Sequence, residues 1–135
     1  MTYRIDELEG VGPVKTKAFA EAGIQTTEEL LEQCGPAAGR KAFADKHGMN
    51  SKELLRCVNM ADLMRVSGVG EEYSDLLEAA GVDTVKELKH RVPANLTAKM
   101  AEVNEQKKLV RSLPSESKVA GWVEQAKALE PKVTH

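Results

Sequence analysis

Apolar residues recur along this chain at spacings of three and four, the period of a helix face packed on a core. Val14, Ala18 and Ala22 form one such run, and Tyr73, Leu76, Leu77 and Ala80 form another. Each run ends at a glycine, Gly23 or Gly81, which can take φ > 0 and stop a helix without steric cost. Each is preceded by an apolar pair spaced by three, Ile5 with Leu8 or Leu63 with Val66, and then by the tripeptide Gly-Val-Gly. No segment has the period-two alternation or the β-branched and aromatic density of a strand. The pattern predicts an all-α fold.

The pattern is also duplicated. Laying Gly10 on Gly68 brings Gly12 onto Gly70, Ala22-Gly23 onto Ala80-Gly81, Thr26 onto Thr84 and Glu29-Leu30 onto Glu87-Leu88. Each copy therefore predicts two helices joined at a glycine corner, then a short third helix opened by a threonine cap with a glutamate three residues on. Pro13 stands where a first helical residue tolerates a missing N–H. Pro36 and Pro93 restart the chain, and Ser51-Lys52 and Ser117-Lys118 begin a last pair of helices. The later copy is longer by about nine residues between positions 105 and 116, by comparison of those landmarks. The expected organisation is a first repeat over 1–58, a second over 59–131 packed on a common core, and a frayed tail at 132–135, with a helix running from Ser51 to about Val66 as the spine.

Charge adds one asymmetry. The net value is −2, yet residues 1–85 hold 9 Lys and Arg against 15 Asp and Glu, whereas residues 86–118 hold 8 against 4. A basic segment of this kind is either a solvated helix face or a contact surface for phosphates or an acidic protein partner. Cys34 and Cys57 lack a second pair, and His47, His90 and His135 lack metal-binding spacing, so neither a metal nor a cofactor is expected. No nucleophile elbow or phosphate loop points to catalysis, and no catalytic residue is nominated. No apolar run is long enough to span a membrane and no leader precedes the first helix, which reads as a cytoplasmic protein.

The repeated run of apolar residue, Gly, apolar residue, Gly and helix resembles the helix-hairpin-helix motif, which occurs in pairs in many DNA-handling proteins. The stretch from Val58 through Gly68-Val69-Gly70 to Thr84, with Pro93-Ala94-Asn95-Leu96 and Glu102-Val103-Asn104, resembles a bacterial family of uncharacterised proteins with two such motifs. The resemblance implies tandem helix-hairpin-helix repeats. It also implies contact between a hairpin and a phosphate, made by backbone N–H groups at the start of the second helix and independent of base sequence.

Carried onto this chain, that contact falls on Gly10, Val11 and Gly12, with charge from Lys15 and Lys17. The basic segment adds Lys107, Lys108 and Arg111. Glu71, Glu72 and Asp75 follow the second hairpin and oppose a phosphate there. The expectation is a non-catalytic module binding duplex DNA weakly and in a salt-sensitive way. The alternative is a protein-interaction adaptor whose hairpins are purely structural. Trp122, the sole tryptophan, is expected to anchor packing.

Overall fold

The computed structural model describes residues 3–8 and 11–135. A three-residue 3-10 turn at Ile5–Glu7 precedes eight α-helices among the described residues. They are α1 (Gly12–Glu21), α2 (Thr27–Cys34), α3 (Ala37–His47), α4 (Ser51–Leu63), α5 (Glu71–Ala79), α6 (Val85–Leu88), α7 (Pro93–Lys107) and α8 (Glu116–Ala128). The described residues contain no strand, only an isolated antiparallel bridge between Arg4 and Thr26. The all-α expectation holds.

Backbone hydrogen bonds recur at the same shift as the sequence. After α1, Gly23 N–H donates to Ala20 O at 3.0 Å and Ile24 N–H to Phe19 O at 2.8 Å. After α5, Gly81 N–H donates to Glu78 O at 3.0 Å and Val82 N–H to Leu77 O at 2.8 Å. Both closures require a left-handed residue, supplied by Gly23 at φ +78° and Gly81 at φ +95°. The threonine caps match as well: Glu29 N–H donates to Thr26 Oγ1 at 3.2 Å and Glu87 N–H to Thr84 Oγ1 at 3.4 Å. Each glutamate carboxylate accepts in return from the chain before the helix, at Gln25 N–H and Asp83 N–H. Reciprocal bonds of this kind satisfy donors that a helix start leaves open.

The copies differ in what leads into them. Before the second corner stands α4, four turns of helix; before the first stands only the 3-10 turn, not the helix face that Ile5 and Leu8 suggest. The preceding chain is occupied otherwise, since Ile5 N–H donates to Gln25 O at 2.9 Å and Thr27 N–H to Tyr3 O at 2.8 Å. In the second copy the corresponding Val85 N–H meets a side chain instead of a backbone carbonyl. The carboxylate of Asp62 takes that place, accepting from Val85 N–H at 2.9 Å while its other oxygen meets Arg65 Nη1 at 2.8 Å. Asp62 is only 1% exposed, and these bonds are what make its burial tolerable. Helix α4 itself stops at Leu63, short of the expected Val66, and the chain turns with Val66 N–H on Leu63 O.

The interior divides into two apolar clusters instead of one common core. The first gathers Ile5, Phe19, Leu30, Leu54 and their neighbours through Met64; the second runs from Leu63 through Leu76, Leu88 and Met100 to Ala126. Helix α4 contributes to both, giving Leu54, Cys57, Val58, Met60 and Ala61 to the first and Leu63 to the second. The longer second copy arises from α7, fifteen residues against eleven in α3, and from the loop after it, 108–115 against 48–50. The end of the chain is docked, contrary to the expectation of fraying. Val133 is buried in the first cluster, Thr134 N–H donates to Gly35 O at 3.0 Å, and Ala37 N–H donates to Thr134 Oγ1 at 2.9 Å. Arg40 adds a guanidinium bond to Thr134 O. Gly35 is required by this close pass, since a Cβ there would lie 2.3 Å from Lys132 O.

Candidate functional site

The expected site centres on the first glycine corner. Gly10 lies outside the described residues. Val11 is buried in the first cluster at 4% exposure, and its N–H donates to Leu8 O at 3.4 Å. Gly12 takes φ +68° at the start of α1, with no atom within 4 Å of the place a Cβ would occupy. The first turn of α1 carries no acidic residue, and its Val14 stands 83% exposed. Beside it lies an open groove of about 460 Å³, bordered by Pro13, Val14, Ala18, His47, Met49 and Glu53. Lys17 is exposed. Lys15 is half-buried and reaches Glu53 Oε2 at 3.7 Å, so part of its charge is already answered.

The second corner is closed. Gly68 takes φ +93°, and a Cβ built on it would come within 3.2 Å of the Trp122 indole nitrogen. Trp122 is 1% exposed and packs on Tyr73 with ring centroids 5.2 Å apart. Tyr73 O–H donates to Ser112 O at 3.0 Å, which pins the 108–115 loop over the start of α5, and Lys118 Nζ lies 5.7 Å from the centre of its ring. Gly70 is in extended backbone at φ −94°, unlike its counterpart Gly12. Glu71 and Glu72 stand in the first turn of α5 and are exposed. Asp75 does not crowd the corner with them: it is turned to Arg56 Nη2 at 3.2 Å.

The basic residues fall into two groups. Lys107 and Lys108 close α7 and Arg111 lies in the following loop, all exposed. Several of the basic residues are paired with carboxylates. Lys15 pairs with Glu53, Arg56 pairs with both Asp75 and Glu78, and Glu78 feels Lys107 in turn. Burial pushes the Glu78 carboxyl above its ordinary value, against the pull of Arg56.

Other chemistry is sparse among the described residues. No group of three or more His, Cys, Asp or Glu is placed to hold a metal ion. Burial pushes the Cys34 thiol up to about 11, with Arg40 pulling the other way, and burial raises Cys57 too. Burial thus favours the neutral thiol at both positions. The His47 ring lies 4.3 Å from that of Phe43, a packing contact. No helix among the described residues is long and apolar enough to cross a membrane. The seal formed by Trp122, Tyr73 and Ser112 is absent from the sequence expectation. The one signal for it is the alignment of Tyr73 with Lys15, an aromatic facing a cation in otherwise matched turns.

Compared with known proteins, residues 9–129 match the family model described as a domain of unknown function, DUF4332. No curated protein and no solved structure matches the chain.

Proposed function

The chain belongs to the DUF4332 family of domains of unknown function, and we propose that it is a non-catalytic binding module of tandem helix-hairpin-helix type. The two units span 1–58 and 59–131, and the module works in the cytoplasm of a bacterial cell. Its first corner meets the sugar-phosphate backbone of duplex DNA without reading base sequence. The observation that carries this reading is the open start of α1, with Gly12 at φ +68°, free space around it and no carboxylate in the first turn. Helix starts present N–H groups and positive dipole ends, which suit a phosphate. Lys17 adds charge there, and Lys107, Lys108 and Arg111 supply a second contact. The second corner contributes packing alone.

With a net charge of −2, binding is weak and falls steeply with salt. Gel shift of a short duplex at low ionic strength tests the reading. The unmodified chain should shift it, and both Lys17→Glu and a triple Lys107→Glu, Lys108→Glu, Arg111→Glu variant should lose the shift. Absence of any shift by the unmodified chain ends the proposal.

A second reading rests on a different observation. Val14 is 83% exposed beside a groove whose rim includes Pro13, Ala18 and Met49, an apolar patch that a phosphate backbone does not use. On this reading the module is an adaptor for an acidic protein partner. Val14→Ser should then abolish nuclease-resistant capture of one stoichiometric partner from the native cell while leaving any DNA shift in place, since it removes the apolar side chain without adding a charge to the first turn of α1.

A further inference from the structure

Away from both corners, a groove of about 410 Å³ opens where α6 gives way to α7. Its rim carries His90, Arg91, Asn95 and Lys99, and its wall includes Val92 and Leu96. No carboxylate lines it. Three other grooves on the molecule mix signs: one pairs Lys15 with Glu53, one sets Arg65 and Lys132 against Glu28 and Glu32, and one holds Arg4 with Asp6. In a chain with 21 acidic and 19 basic residues, a pocket with only positive charge on its rim stands apart.

Of these groups, Arg91 is held in place. Arg91 Nη2 donates to Gly81 O at 2.8 Å and lies 3.6 Å from Glu87 Oε1, so both contacts use one nitrogen and the Nε and Nη1 donors remain for other acceptors. Lys99 has only a loose pairing with Glu102, at 4.0 Å, and is about half exposed. The groove also borders the start of α7, a fifteen-residue helix with no acidic residue in its first turn and no side-chain cap on its N–H groups.

We propose that this groove binds a small phosphomonoester. Guanidinium donors, an ammonium, an imidazole and an amide around one opening match a dianion with several acceptor oxygens better than a single carboxylate. The volume exceeds that of a bare phosphate, and Val92, 56% exposed, offers an apolar wall to the organic part of the ester. The site lies apart from the first corner and stands whether or not that corner meets DNA.

The test titrates the full chain with inorganic phosphate, with a nucleoside 5′-monophosphate and with a short duplex lacking terminal phosphates, each against chloride at equal ionic strength. Amide and side-chain NMR shifts of His90, Arg91 and Asn95 are the readout. Saturable shifts at these residues are expected with the monophosphate, weaker ones with inorganic phosphate. Lys99→Glu and Asn95→Asp should each lower affinity about tenfold or more, since both residues are exposed and the fold does not depend on them. The Lys107→Glu, Lys108→Glu, Arg111→Glu variant should bind as the unmodified chain does. No saturable response, a response to the duplex alone, or equal loss in all variants would overturn the proposal.

Discussion

The two glycine corners arise from nearly the same residues and end in opposite conditions. At the first, the start of α1 faces an open groove. At the second, Trp122 and Tyr73 fill the corresponding space and the 108–115 loop is tied across it. The backbone bonds that recur at Gly23 and Gly81 show that the turns closing α1 and α5 are local solutions, whereas the corners ahead of them differ, Gly12 at φ +68° and Gly70 at φ −94°. What occupies each corner is decided by residues far away in sequence. Tyr73 stands where the first copy has Lys15, and Trp122 where it has Arg56, at the shifts of the two alignments.

The comparison breaks most readily at the seal. Trp122→Ala should cost about 3–5 kcal/mol in urea denaturation, because a large buried side chain is lost from a site that cannot close around the gap. Arg56→Ala, its counterpart, should cost about 1 kcal/mol or less, since that ion pair is partly exposed. Equal losses would mean that the second corner is no more dependent on its filling than the first. Next comes the lead-in. Asp62→Ala strands Arg65 and leaves Val85 N–H without its acceptor, and a loss of about 3 kcal/mol is expected by the same method. A loss below about 1 kcal/mol would show that Asp62 does not substitute for the carbonyl of Tyr3.

A smaller effect is expected at Gly35. Gly35→Ala forces the passing Lys132 backbone away and should cost about 1–3 kcal/mol, with trypsin cutting after Lys132 much sooner than in the unmodified chain. An unchanged cleavage rate would mean that the docked end is not held by this contact. Smallest are the caps. Thr26→Ala and Thr84→Ala should each cost about 1 kcal/mol, and a clear inequality would show that matching bonds do not carry matching energy.

Much of this was legible in the sequence where the information is local. Gly23 and Gly81 at positive φ, Thr26 and Thr84 as caps and the buried Trp122 all follow from residue type and spacing. The lead-in to the first corner was not, because Ile5 and Leu8 satisfy a helical spacing and a 3-10 turn equally well. Asp62 reads as a surface carboxylate, since nothing nearby in sequence reveals the Val85 N–H that it serves. Val133 has no periodic neighbours to mark it as buried. The candidate site was legible as a corner, yet the pairing of Lys15 with Glu53 and of Asp75 with Arg56 depends on how helices meet in space.

The docking of Val133 bears on how the chain reaches its folded form. The first cluster assembles from residues before position 65, yet its final member arrives only after the whole second unit has been made. During synthesis the early half must wait with one apolar socket vacant, and a bulky fusion placed just beyond Thr134 would disturb the opposite half of the molecule from the one to which it is joined.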